Sequence, residues 1–370
     1  MPGIQRGLVA KMRIGILTGG GDCPGLNAVI RAVVKKAVYD CGWEVWGIAD
    51  GYEGLVEGRG RNISTEDASN ILGLGGTILG TSNTANPFEY VRRVRGKLVT
   101  SDESKRALGQ IKKWRLDALV AVGGDGTLSI AERLGRIGAK VVGIPKTIDN
   151  DLNATDITFG HDSAVQVISN AIDNLHTTAQ SHHRVIVVEV MGRYAGWLAL
   201  RGGMAGGGDV ILIPEIPFSL DSVVEEIELR RRKGRRFSIV VVAEGAHEKG
   251  KGLVVRQKIE GSPDPLRLGG IGAAVSNAIE DKTGISSRIV VLGHLQRGGT
   301  PTAFDRLLAT DFGIMAVSVL KDGKSGRMVA MKGGEVTDVP IASAITKLKT
   351  VPKNHPLVLA AKSMGTVLGD

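Results

Sequence analysis

Two rhythms of apolar residues alternate along the chain. Short, nearly continuous apolar runs rich in Val and Ile stand at 12–18, 44–49, 118–122, 140–144, 185–190, 210–213, 238–243 and 289–292, and are predicted to be strands. Between them lie longer amphipathic segments. Over 24–40, Val29, Ile30, Val33, Val34, Ala37 and Val38 recur at helical spacing, which predicts a helix with Pro24 in its first turn. Several strand runs lack polar alternation, as expected of parallel strands covered on both faces. The pattern predicts α/β architecture, with ligands bound beyond the carboxyl ends of the strands. No repeat of 20–50 residues and no low-complexity linker interrupts it. Without a clean hinge, the chain is expected to pass between two lobes more than once. Residues 245–270, rich in Gly, Pro and Lys, read as a surface excursion.

Composition sharpens this picture in three ways. Glycine is abundant, 52 of 370 residues, about twice the usual share of ~7%. It is clustered in short runs, where backbone must turn sharply or approach a ligand. Cys23 and Cys41 are the only cysteines, which excludes a disulfide scaffold, leaves no zinc spacing and points to a reducing compartment. The first residues lack the apolar core of a signal peptide, and no run approaches the ~18 apolar residues of a membrane span, so a cytoplasmic protein with no membrane partner is expected. The net charge is +9, of which the run 230–236 supplies six. That run reads as a solvated surface, and aromatics at 4% leave few stacking platforms. Small phosphorylated ligands are expected as partners, and nucleic acid is not.

Three loops that follow strands carry the chemistry. The first, Thr18 to Asn27, contains Gly19, Gly20, Gly21 and Gly25; bare amides before a helix make an anion site, with a merely tight strand–helix turn as the alternative reading. Pro24 stands where a dinucleotide fingerprint wants its last glycine, and no GxxxxGK[ST] motif exists. Cys23 reads as a packed thiol. The second loop is Gly123-Gly124-Asp125-Gly126-Thr127. Its glycines let phosphate oxygens reach the main chain, Thr127 offers a hydroxyl, and Asp125 is the candidate Mg²⁺ ligand. The third is Pro145-Lys146-Thr147-Ile148-Asp149-Asn150-Asp151. Two carboxylates at a strand end suit general-base work, because neighbouring like charges raise proton affinity. An Asx turn is the alternative reading.

These loops, followed in order by Met191-Gly192-Arg193-Tyr194-Ala195-Gly196 and Gly293-His294-Leu295-Gln296-Arg297-Gly298-Gly299, resemble the 6-phosphofructokinase family over about nine-tenths of the chain. The resemblance implies two interwound three-layer α/β lobes with mostly parallel sheets. A donor lobe would comprise 1–160 plus about 297–345, and a sugar-phosphate lobe 161–296 plus about 346–370. It implies ATP-dependent phosphorylation of the 1-hydroxyl of fructose 6-phosphate, with Mg²⁺ as cofactor and pyrophosphate as the alternative donor. Asp149 matches the general base, with Asp151 and Thr147 in support and Arg193 beside them. Gly21, Arg92, Arg93, Gly124, Asp125, Gly126 and Thr127 match donor-binding positions. Thr147, Asp149, Met191, Gly192, Arg193, Glu244, His294 and Arg297 match sugar-phosphate ligands. Arg184 and Arg288 match arginines supplied across a subunit interface, implying a homo-oligomer, a tetramer or a dimer.

The resemblance splits at the donor. Gly126 is ATP-like, whereas Lys146 is pyrophosphate-like. A carboxylate at 126 would occupy the place of the α-phosphate, and like charges at about 4 Å with an effective dielectric of about 20 repel by roughly 4 kcal/mol, near a thousandfold in affinity. A lysine excludes nothing, so Gly126 is expected to decide for ATP. Asn83 stands where the best-known bacterial enzymes have an arginine, and Lys146 is the candidate replacement charge. Arg31, Arg59, Glu215 and the run 233–236 match a bacterial effector site in which Lys35 replaces an arginine, leaving allosteric control open. His182 and His183 read as surface or interface residues, and nothing is readable beyond about residue 345.

Overall fold

A computed structural model describes residues 11–258 and 266–370, and the elements counted below are those of the described residues. Part of the expected 245–270 excursion, and residues 1–10, lie outside them. Two compact units emerge. One comprises the chain up to Thr147 together with Leu152–Gly160 and Gly299–Lys347; the other comprises Ile148–Asp151, His161–Gly298 and Leu348–Asp370. The chain therefore changes unit after Thr147, Asp151, Gly160, Gly298 and Lys347.

In chain order the elements up to the first change of unit are β1 (Arg13–Thr18), α1 (Leu26–Cys41), β2 (Glu44–Ile48), α2 (Tyr52–Glu57), β3 (Gly60–Asn62), β4 (Tyr90–Val94), β5 (Lys97–Ser101), α3 (Ser104–Lys113), β6 (Ala118–Gly123), α4 (Asp125–Arg136) and β7 (Val141–Pro145). Then follow α5 (His161–His182), β8 (Val185–Val190), α6 (Trp197–Ala205), β9 (Val210–Leu212), α7 (Leu220–Arg232), β10 (Ser238–Ala243), β11 (Val255–Lys258), β12 (Leu266–Leu268), α8 (Ile271–Thr283) and β13 (Ser287–Val291). The chain ends with α9 (Ala303–Lys321), β14 (Arg327–Lys332), β15 (Glu335–Pro340), α10 (Ile341–Ala344) and α11 (Pro356–Ser363).

The first unit is built on a seven-stranded sheet of order β15-β14-β7-β6-β1-β2-β3. Its interior pairs are parallel, with Ile14 opposite Val45 on one side and Ala118 on the other. Strands β6 and β7 are buried along their whole length, which is why their sequences are apolar without alternation. The sheet turns antiparallel only at its two margins, where β3 pairs with β2 and β15 with β14. The second unit carries a parallel four-stranded sheet of order β13-β8-β10-β9, with β8 and β10 wholly buried. Both sheets are covered by helices, the arrangement expected from the alternating pattern. No helix among the described residues is long and apolar enough to cross a membrane.

One local expectation is corrected. Helix α1 begins at Leu26, so Pro24 lies outside it: Gly25 takes a left-handed φ of 105°, which breaks the helical path, and a Cβ there would strike Phe159. The aspartate segment Ile148–Asp151 groups with the second unit, where Ile148 and Asn150 meet the side chains of His161 and Lys349.

Candidate functional site

Within the first unit, three loops leave adjacent parallel strands at their carboxyl ends. The loop after β1 is pinned to the end of β6 by Gly19 N donating to Val122 O at 2.9 Å. Thr127, in the first turn of α4, is buried, and its side chain fills the space in which a Cβ on either Gly19 or Gly123 would sit. Those two glycines are thus required by Thr127, whose packing brings the loops together. Its carbonyl accepts from the buried Tyr52 hydroxyl at 2.8 Å. The sequence reading saw a hydroxyl for the ligand and missed this packing role, which no spacing signals.

The head of α4 is open. Gly124 precedes it in extended conformation, and Asp125 and Gly126 are exposed. A Cβ on Gly126 would meet nothing within 4 Å. The bare backbone at the positive end of the helix suits phosphate, and the exposed carboxylate beside it suits a phosphate-bound divalent cation, since Mg²⁺ takes one or two protein carboxylates and otherwise phosphate and water oxygens. Among the described residues no cluster of three or more His, Cys, Asp or Glu could hold a metal.

Lys146, only 4% exposed, hydrogen-bonds through its ammonium to the carbonyl of Gly21, and its amide donates to Gly123 O at 3.0 Å. It therefore links all three loops. Thr147 is half-buried, its carbonyl accepting from Thr158 at 2.7 Å. Asn83 is exposed. Arg92 and Arg93 lie on the β4–β5 ribbon; Arg92 pairs with Glu103 and Arg93 donates to Gly96 O at 3.2 Å.

In the second unit, Asp149 and Asp151 are half-buried on either side of the buried Asn150, which adopts a left-handed φ of 51°. His161, fully buried at the start of α5, contacts Ile148 O through Nδ1 at 2.6 Å. Burial pushes its pKa down to about 3, so the ring is neutral and Nδ1–H is the donor.

Met191, Gly192 and Arg193 follow β8, and Glu244 follows the neighbouring β10. Gly245 N donates to Gly192 O at 3.1 Å, locking these two loops together, while Met191 N contacts the buried Gln296 Oε1 at 3.3 Å. Gln296 thereby joins the Gly293–Arg297 turn, with exposed His294 and half-buried Arg297, to the loop after β8. Burial raises the Glu244 pKa, as does the negative charge of Glu189, while Arg193 and Arg297 oppose the shift. One acid, two cations and an exposed imidazole thus collect at one end of the sheet, an arrangement suited to a phosphorylated polyol.

Arg184 and Arg288 do not join them. Arg184 immediately precedes β8, and Arg288, in edge strand β13, lies opposite Ile186. Both stand at the amino end, whereas Met191 to Arg193 follow the carboxyl end. Six strand residues at ~3.3 Å each put roughly 20 Å between the two ends, so one small ligand cannot touch both within this unit.

Of the effector-like positions, Glu215 is turned inward, accepting from Gly196 N at 3.0 Å and Val351 N at 2.7 Å, and burial raises its pKa. Arg59 is shared among Asp50, Glu53 and Glu57. In the basic run, Arg230 pairs with Asp209 at 2.8 Å, and Arg231 to Arg236 are exposed. His182 and His183 are exposed, and Cys23 is buried.

A phosphofructokinase family profile matches residues 13–320. A protein of Spirochaeta thermophila named ATP-dependent 6-phosphofructokinase is 47% identical over 98% of this chain and 98% of its own. A protein of Amycolatopsis methanolica named pyrophosphate–fructose 6-phosphate 1-phosphotransferase is 51% identical over 92% of this chain and 96% of its own. Among solved structures, Pichia pastoris phosphofructokinase in the T-state aligns with a TM-score of 0.78 and 34% identity, over 90% of this chain but 37% of the Pichia chain.

Proposed function

The chain belongs to the phosphofructokinase family, and we propose that it transfers the terminal phosphoryl group of ATP to the 1-hydroxyl of fructose 6-phosphate, giving fructose 1,6-bisphosphate and ADP. The observation that carries the choice of donor is Gly126. It is exposed at the head of α4 with open space where a side chain would project, so bulk and negative charge are both absent where an α-phosphate would lie.

Asp149 accepts the proton of the attacking hydroxyl, with Asp151 and Thr147 in support. Gly21, Gly124, Gly126 and Thr127 form the donor cradle by backbone and packing, and Arg92 and Arg93 contribute positive charge from the β4–β5 ribbon. Asp125 holds Mg²⁺, which, when bound, neutralises charge on the transferring phosphate. Arg193, His294 and Arg297 neutralise the sugar phosphate, Met191 and Gly192 shape its pocket, and Glu244 bonds a sugar hydroxyl. Phosphoryl transfer asks for alignment and neutralisation more than for covalent chemistry, which these residue types supply. The donor unit is the one built on the seven-stranded sheet, and the sugar-phosphate unit the one built on the four-stranded sheet.

Arg184 and Arg288, at the far end of the second sheet, serve the site of a neighbouring subunit in a homo-oligomer, a tetramer or a dimer. The enzyme works in the cytoplasm. A pyrophosphate donor is the second reading, favoured by Lys146 and by the Amycolatopsis relative. Initial rates of fructose 1,6-bisphosphate formation with Mg²⁺ and either ATP or pyrophosphate decide between them: a rate with ATP alone is expected, and a rate with pyrophosphate alone would overturn the argument from Gly126.

A further inference from the structure

The carboxyl-terminal segment, which no sequence motif explains, reaches the aspartate loop. Lys349 donates from its ammonium to Asn150 Oδ1 at 3.0 Å, and its backbone amide donates to Asp151 O at 2.7 Å. The carbonyl of the same residue accepts from Trp197 Nε1 at 2.8 Å, and two residues on, Val351 N is held by Glu215. Glu215 also accepts from Gly196, the last residue of the motif after β8. Lys349 is therefore anchored through α6 and through Glu215 before it meets the loop.

The loop needs such an anchor. Asn150 is 1% exposed and left-handed, a conformation that costs a non-glycine residue of order 1 kcal/mol or more and persists where surroundings enforce it. Asp149 lies between Ile148, tied to His161, and Asn150, tied to Lys349, so the backbone that carries its carboxylate is held on both sides.

We propose that Lys349 is a positioning residue for phosphoryl transfer, acting through Asn150 to aim the Asp149 carboxylate at the attacking hydroxyl. This rests on the assignment of Asp149 as the base. A misplacement near 1 Å at a reacting group costs about 100-fold in rate, whereas a lysine that acts only through Asn150 should leave substrate binding unchanged.

The test is a double-mutant cycle of Lys349→Met and Asn150→Gly on the full chain, with Lys349→Arg and Asp149→Asn alongside. Glycine at 150 keeps the left-handed backbone and removes only the amide. Each single variant is expected to lower kcat about 10- to 100-fold with KM for fructose 6-phosphate within about twofold of the parent. The double variant should be no slower than the slower single variant, and Lys349→Arg should recover most of the loss. Multiplicative losses, a parental kcat in Lys349→Met, or a loss seen only in KM would overturn the proposal. If Lys349→Met melts before assay, a parental kcat in Asn150→Gly overturns it equally. A fully active Asp149→Asn would instead refute the base assignment, whatever Lys349 does.

Discussion

The ammonium of Lys146 is hydrogen-bonded to the carbonyl oxygen of Gly21, joining the loop after β7 to the loop after β1. A charge that the sequence suggested would face a phosphate is also an internal tie. Replacing it by Met, of similar length, would remove a charge-assisted hydrogen bond to the half-buried Gly21, a loss of about 1.5–3 kcal/mol. Lys146→Met is expected to raise KM for the donor at least tenfold and lower kcat, read from steady-state rates at saturating fructose 6-phosphate. A parental donor KM would show that the tie does not shape the donor loop.

At position 126, charge and size can be separated. Because a Cβ there has open space, Gly126→Ala should retain ATP-dependent turnover and, lying in the first turn of α4, should melt no lower than the parent. Gly126→Asp should lose about a thousandfold in kcat/KM for ATP. Equal losses in both variants would mean that backbone freedom, not electrostatics, is what the site requires.

Gly245 adjoins Glu244, and a Cβ on it would collide with the Arg193 backbone carbonyl. Backbone cannot yield as a flexible side chain does, so Gly245→Ala should push apart the loops after β8 and β10. The expected result is at least a tenfold higher KM for fructose 6-phosphate, with ATP affinity, read by calorimetric titration, unchanged. A parental sugar KM would refute the close packing of the two loops.

Buried His161 makes stability depend on pH. Its pKa is lowered to about 3 in the folded chain against about 6.5 when unfolded, so between those values the unfolded state binds more protons. Its contribution is complete above about pH 6.5 and is lost as pH falls toward 3, by up to about 1.4 kcal/mol per pH unit. Melting temperatures from pH 4 to 8 should fall more steeply toward acid for the parent than for His161→Asn. Parallel curves would exclude a titrating contribution from this ring.

If Arg288 serves a neighbouring subunit, two inactive proteins should complement one another. Asp149→Asn and Arg288→Ala, each at most about 1% as active as the parent, should regain activity when dissociated, mixed and reassembled, because some sites then carry both native residues. Mixtures no more active than their components would place Arg288 and Asp149 in service of the same subunit's site.

The alternation of apolar runs and amphipathic segments was enough to read α/β architecture and the interior strands nearly to the residue, as at Val185–Val190 and Ser238–Ala243. Burial on both faces of a parallel strand imposes a local pattern. The glycine loops and the motifs after β8 and β13 were legible for the same reason: a tight turn at a strand end restricts which residue types can stand there. What tertiary structure decided involves partners far apart in the chain. Thr127 demands glycine at 19, Lys146 turns back onto Gly21, and Lys349 braces Asn150 across 199 positions. Neither apolar periodicity nor loop spacing records such pairings, because each depends on where the fold returns the chain, and a single hydrogen bond leaves no pattern in the residues around it.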